Sequence, residues 1–137
     1  MLRVGDRGPA YSVGPLTRAD IVRYAQASGD ANPLHQDDEF ARSAGLPSVM
    51  AHGMLSAGFL ASFVTLWCGP DSVRKFKVRF RDRVWPGDRL QAEGHVVRLF
   101  ETQVGPMAGL ELSLNRADGT AVVTGTAEVM ARGAQSS

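Results

Sequence analysis

The sequence predicts an α+β fold in which an antiparallel β-sheet wraps around one long helix. The segment Gly53–Trp67 is apolar nearly all round, which is typical of a buried helix. After Gly69-Pro70 the hydrophobic period changes from helical to alternating, which indicates strands with one apolar face. Turn residues such as Pro86-Gly87 separate these strands. Covering the apolar sheet face with the apolar helix is the simplest way to bury both.

The residues before the long helix predict two shorter helices. A short extended piece is expected near Ala10–Val13. Thr17 followed by Asp20 has the spacing of a capping box, so a helix should begin there and end near Ser28-Gly29. A second helix is expected over Asp37–Ala44.

The second half of the chain predicts four strands. In the first, Lys75–Val84, the apolar residues Phe76, Val78, Phe80 and Val84 share one face, and the other carries the basic row Lys75, Lys77, Arg79, Arg81 and Arg83. The remaining extended segments are Leu90–Thr102, Leu110–Arg116 and Thr120–Ala131. Ala117-Asp118-Gly119 predicts a hairpin turn between the last two, so the strands should form a meander.

Length and composition predict a single domain. The 137 residues, 44% hydrophobic and 21% charged, fit one globular unit, expected over residues 1–132 with a frayed tail at 133–137. A net charge of +1 does not indicate the concentrated basic face that nucleic-acid binding needs. The one cysteine, Cys68, permits no internal disulfide. The apolar stretch Met50–Cys68 is long enough for a membrane span, but small and polar residues interrupt it. We expect a cytoplasmic protein without a membrane segment.

Three candidate catalytic parts lie close together in the sequence. Asp30 and His35 flank Asn32-Pro33, which disfavours regular helix, so both side chains should sit on an irregular loop. A carboxylate and an imidazole held in this way form a plausible acid/base pair. Gly53 begins the long helix, where its amide could donate to a developing oxyanion.

These residues carry a family resemblance. The matching positions are Tyr24-Ala25, Ser28-Gly29-Asp30, Asn32-Pro33, His35, Asp37, Phe40-Ala41 and Ala51–Leu55. The pattern resembles the MaoC-like (R)-specific enoyl-CoA hydratases and (3R)-hydroxyacyl thioester dehydratases, and within them the catalytic subunit of the mycobacterial acyl-carrier-protein dehydratases. The resemblance implies a hotdog fold, a homodimer or a heterodimer with a related subunit, and sites at the interface between the chains. It also implies an acyl-CoA or acyl-carrier-protein (acyl-ACP) substrate.

The implied reaction is the reversible addition of water to a 2-enoyl thioester. It needs a group that activates water, a proton donor or acceptor at C2, and a donor to the thioester oxygen. Asp30 and His35 would meet the first two needs, and their assignment stays open. The Gly53 amide would meet the third. No metal or other cofactor is required, and the histidines lack the spacing of metal ligands.

Further candidates have competing interpretations. Asn32 could orient His35 or serve only the turn, and His52 could contact substrate or fix the entry to the helix. Ser56 could assist the site or allow close packing, and Ala61 stands where related hydratases are expected to have a helical serine. Phe59 and Phe63 could line an acyl tunnel or belong to the core. The basic row could steer a phosphate-bearing or acidic partner, although a solvated strand face explains it as well.

Two other functions compete with the hydro-lyase. The chain could be a non-catalytic acyl-binding or partner subunit of a heteromeric dehydratase, but such a subunit would not need Asp30 and His35. A thioesterase would also activate water, at the carbonyl carbon, but does not usually carry this motif.

Overall fold

The computed structural model describes residues 1–28, 37–46, 48, 50–51 and 53–131. The predicted site residues Asp30, Asn32, His35 and His52 lie outside these ranges, as does the tail at 133–137. The helices are α1 (Arg18–Ser28), α2 (Asp38–Ser43) and α3 (Gly53–Cys68). The strands are β1 (Tyr11–Val13), β2 (Val73–Phe80), β3 (Leu90–Thr102), β4 (Gly105–Arg116) and β5 (Ala121–Met130).

Local signals placed the helix starts correctly. The Thr17 hydroxyl accepts a hydrogen bond from the Asp20 amide at 3.0 Å, and the Asp20 carboxylate accepts one from the Thr17 amide at 3.0 Å. The predicted capping box is therefore confirmed. Asp37 caps α2, because its carboxylate accepts from the amides of Glu39 and Phe40 at 3.0 and 3.2 Å. Asp38 instead pairs with Arg18 at 2.8 Å.

The described strands form one antiparallel sheet in the order β1-β3-β4-β5-β2. The predicted meander is correct for β3, β4 and β5 but wrong for β2, which pairs with β5 rather than β3. The reason is that α3 contacts β2, β3, β4 and β5, so it runs across the sheet and carries the chain to the far edge. The antiparallel sheet around a long helix is confirmed.

The end of β2 differs from the prediction. The strand stops at Phe80 rather than Val84, because the amides of Arg81 and Asp82 both point to the Val122 carbonyl, at 2.8 and 3.3 Å, and the one-to-one pairing is lost. Phe80 is still paired with Val123 and lies on the α3 side, as alternation predicted, but at the end of the strand it is 50% exposed. Val84 is buried all the same.

The core lies between α3 and the sheet. Phe63 and Trp67, one turn apart, have ring centroids 5.8 Å from each other. Both rings lie over Gly94 of β3, where an added Cβ would come within 3.0 Å of Phe63 and 3.1 Å of Trp67. Gly8 makes the same close approach possible on the neighbouring segment. The two glycines thus let the large rings sit directly on the backbone of the sheet.

Candidate active site

The N-terminus of α3 is the part of the candidate site that the structure describes. Gly53 is the first residue of the helix, where amides have no partner within the helix and the dipole is positive. The Ala51 amide donates to the Val84 carbonyl at 2.8 Å. The helix start offers backbone donors of the kind that bind anions.

Phe80 packs against this helix start. A Cβ added to Gly53 would lie 3.1–3.3 Å from three carbons of the Phe80 ring, so the ring occupies the space that any other residue would need. Alternation along β2 predicted that Phe80 lies on the apolar face, and its contact with α3 confirms this. The contact with Gly53 itself was not predicted, because the period of one strand does not show which residue of α3 lies against it.

An apolar groove of about 560 Å³ runs between α1 and α3. Tyr24 and Ala27 line it from α1, and Leu55 and Phe59 line it from α3. At its rim Arg23 lies 3.5 Å from an Asp20 carboxylate oxygen. The Thr17 amide holds the pKa of Asp20 below its usual range, with smaller contributions from the Thr17 hydroxyl and Arg23.

The groove lies next in sequence to residues 29–36, which contain the predicted Asp30 and His35. That segment follows Ser28 directly, one residue beyond the groove-lining Ala27. On its other side stands α2, which the Arg18–Asp38 ion pair ties to α1. The two helices that bracket Asp30 and His35 are thus joined to each other, and the first turns of α3 form the opposite wall of the groove.

The predicted residues on α3 divide between groove and core. Phe59 is half-buried and lines the groove. Phe63 is fully buried under Gly94, and Ser56 is 3% exposed, so both side chains pack inside the fold. Ala61 is half-buried and the neighbouring Ser62 is exposed. Phe63 therefore belongs to the core, whereas Phe59, one helical turn earlier, lies at the groove.

Other reactive groups do not converge on a second centre. In the ranges covered by the structure, His, Cys, Asp and Glu side chains nowhere gather in a group of three that could hold a metal ion. Cys68 is buried, and desolvation raises the pKa of its thiol to about 11, so it stays protonated as a small apolar residue. None of the helices described is long and apolar enough to cross a bilayer.

The architecture defines the class of protein: a hotdog fold. The structure of this chain is similar to that of the unliganded (R)-hydratase PhaJ1 from Pseudomonas aeruginosa. The TM-score is 0.83 and the sequence identity 29%, and the match covers 95% of this chain and 82% of that one. The (R)-hydratase from A. caviae involved in PHA biosynthesis matches with a TM-score of 0.81 and 29% identity, covering 94% of this chain and 96% of that one.

The chain belongs to the MaoC-like family, whose domain model, "MaoC like domain", matches residues 7–108. Enoyl-CoA hydratase 2, peroxisomal, from Arabidopsis thaliana is 41% identical over 95 residues, which are 67% of this chain and 31% of the relative. The 3-hydroxyacyl-thioester dehydratase X of Mycobacterium tuberculosis is 40% identical over 72 residues, 53% of this chain and 25% of the relative. The chain thus spans less than a third of the length of either relative.

Proposed function

We propose that the protein is a hydro-lyase that reversibly adds water to 2-enoyl thioesters and dehydrates (3R)-hydroxyacyl thioesters. The observation that carries the proposal is the position of the apolar groove: it lies between the helix that leads into the Asp30–His35 segment and the helix that begins with Gly53. Family membership and the (R)-hydratases of similar structure and 29% identity support the same reaction.

In the proposed mechanism Asp30 and His35 share the water molecule. One of them takes a proton from the water as its oxygen bonds to C3, and the other delivers a proton to C2. Negative charge develops on the thioester oxygen, and the Gly53 amide donates a hydrogen bond to it. One such donor contributes on the order of 3 kcal/mol to the stabilisation of the transition state. In the reverse direction the same groups remove the hydroxyl and the C2 proton.

Phe80 and the groove would support this chemistry from two sides. The Phe80 ring would keep water from one flank of the Gly53 amide, and hydrogen bonds in a less aqueous site stabilise charge more strongly. The groove offers the apolar surface of Leu55 and Phe59 to an acyl chain, whose burial contributes about 0.8 kcal/mol per methylene group.

Assembly and location are part of the proposal. We expect a homodimer, with a heterodimer as the alternative; one structure of similar fold, at 22% identity, is a ChsH1–ChsH2 complex from Mycobacterium tuberculosis. Light scattering of the purified protein distinguishes a monomer from a dimer. We also expect a cytoplasmic location, which fractionation of the native cells tests.

The test of the reaction is the absorbance of the enoyl-thioester band after the protein is mixed with crotonyl-CoA or a crotonylated acyl carrier protein. We expect absorbance to fall and a (3R)-hydroxy product to form. Asp30→Asn and His35→Ala should each lower kcat by about 10²–10⁴-fold with an unchanged circular dichroism spectrum.

Asp118→Asn is the matched control, because it makes the same chemical change in the exposed β4–β5 turn and should keep full activity. A near-native rate for Asp30→Asn or His35→Ala would refute the mechanism. Release of free thiol would instead indicate a thioesterase. No change with either carrier would favour the partner-subunit hypothesis.

A further inference from the structure

We propose that the outer sheet face beside β2 is the docking surface for an acidic protein that carries the thioester substrate. The inference rests on the proposed function and names the form of the substrate: an acyl group delivered on a carrier protein rather than on free coenzyme A. It follows from where the positive charge of this nearly neutral chain is placed.

A trough of about 490 Å³ lies on the face of β2 and β5 that is turned away from α3. Its polar lining consists of Lys77, Arg79, Arg81, Glu111, Thr124 and Thr126. At Gly125, between Thr124 and Thr126, an added Cβ would lie 2.6 Å from the Lys77 carbonyl oxygen, so the close approach of β5 to β2 requires glycine.

The cations of the trough are exposed and available. Within the described ranges no carboxylate lies within 4.0 Å of the charged groups of Lys77, Arg79 or Arg81. Arg81 is held in place by a neutral partner, because its Nε donates to the Thr124 hydroxyl at 3.0 Å. A guanidinium oriented in this way keeps its other donors for a ligand.

Nearby carboxylates do not cancel this charge. Glu111, on the trough wall, is one carboxylate beside three cations, and Glu128 accepts from Arg98 at 3.0 Å. Glu128 stands opposite Lys75 at the start of β2, away from Arg81. Asp82 accepts from Arg116 at 2.8 Å. The positive charge is therefore concentrated at the end of β2 that leads to the candidate site.

This end adjoins the Gly53 helix start directly. Arg79 and Arg81 flank Phe80, whose ring contacts Gly53, and their side chains are on the opposite face. Alternate residues of a strand are roughly 6.7 Å apart, so Lys77, Arg79 and Arg81 span about 13 Å. An acidic helix offers a carboxylate every turn, at about 5.4 Å, and matches all three cations. The phosphates of one nucleotide would occupy only part of such a row.

The experiment compares the kcat/KM of the protein for the same acyl group on two carriers. The substrates are crotonyl-CoA and a bacterial acyl carrier protein bearing a crotonyl group, and the variant is Arg79→Glu/Arg81→Glu. We expect kcat/KM for the carrier-protein substrate to fall about tenfold or more, and kcat/KM for crotonyl-CoA to change less than about twofold. Added salt should lower the wild-type rate on the carrier protein and leave that of the variant almost unchanged.

The matched control is Arg3→Glu, an exposed charge reversal outside the trough, which should leave both substrates unaffected. Equal losses on both carriers, a selective loss with crotonyl-CoA, or no loss would overturn the proposal. Direct binding of the unacylated carrier protein separates this inference from the reaction itself. If neither substrate is turned over, binding to wild type that the double variant lacks still supports the docking surface, and absence of binding refutes it.

Discussion

The two halves of α3 have similar composition and opposite surroundings. In the second half Phe63, Trp67 and Cys68 are at most 5% exposed, and the rings of Phe63 and Trp67 lie against sheet backbone. In the first half Ser56 and Leu60 are buried as well, but Leu55 and Phe59 face an open groove. The helix is thus a core element at one end and a wall of the candidate site at the other.

The difference arises from what the helix is packed against. In the second half of the helix, which we call the closed end, Gly8 and Gly94 let Phe63 and Trp67 lie directly on the backbone. At the open end the neighbours are another helix, α1, and the side of Phe80, which leave a groove. A uniformly apolar helix can therefore provide both stability and a binding surface, and substitutions should separate the two.

The largest expected effect comes from comparing two phenylalanines one turn apart. Phe63→Ala should lower the free energy of unfolding by about 3–5 kcal/mol, because it leaves a cavity in the closed end. Phe59→Ala removes a half-buried ring and should cost roughly 1–2 kcal/mol, while raising KM for acyl substrates. Urea unfolding and initial rates measure both. Equal destabilisation by the two changes would abolish the distinction between the ends.

Gly94→Ala tests the closed end without creating a cavity. The added methyl would lie 2.9 Å from Leu112 and 3.0–3.1 Å from Phe63 and Trp67. Overpacking of this kind costs about 1–3 kcal/mol. Thermal unfolding followed by circular dichroism should show the loss. An unchanged melting temperature would mean that the two rings move aside easily.

Gly53→Ala tests the open end. The methyl would push the half-exposed Phe80 ring by a few tenths of an ångström, so we expect the stability to change by less than about 1 kcal/mol. The kcat should fall about tenfold as the ring and the amide lose their alignment.

Gly58→Ala is the control for this change on the same helix. An added methyl there meets no atom within 4 Å, and replacing glycine in a helix stabilises by about 0.5–1 kcal/mol. Its activity should be native. If Gly53→Ala gains stability and keeps its rate in the same way, the Phe80 contact has no role in turnover.

The smallest expected effect concerns Asp20 at the rim of the groove. Its pKa is lowered in the folded state, chiefly by the Thr17 amide, so the ionised form stabilises the fold above the ordinary value of about 4. That contribution is lost as pH falls through the lowered pKa. Wild type should therefore exceed Asp20→Asn in stability at neutral pH, and the gap should close in acid. Urea midpoints at pH 7 and pH 3 measure it.

Local signals in the sequence identified the elements but neither all of their ends nor their arrangement; β4, for example, begins at Gly105 rather than Leu110. Capping at Thr17 depends on residues three apart, and that prediction was correct. The position of β2 beside β5 depends on how α3 crosses the sheet, and no residue within β2 encodes it. The contact between Phe80 and Gly53 follows from that position and was missed for the same reason.

The candidate site shows the same limit. The motif predicted Asp30, His35 and Gly53 together because the residues are close in sequence, and Asp30 and His35 stay predictions outside the described ranges. Periodicity could not separate Phe59 from Phe63, since both lie on an apolar helix. Only the glycines on the facing sheet, which are distant in sequence, decide which ring is buried.

The pairing of β2 with β5 also determines when, during synthesis, this part of the sheet can form. Phe80 stands opposite Val123, and Val73 stands opposite Val129, so the strand beside the helix start must wait for residues more than forty positions later. At roughly 5–20 residues per second, the ribosome leaves β2 without its neighbour for several seconds. Until β5 emerges, the backbone donors and acceptors along this edge of β2 have no partner strand, and the pairing of Phe80 with Val123 cannot form.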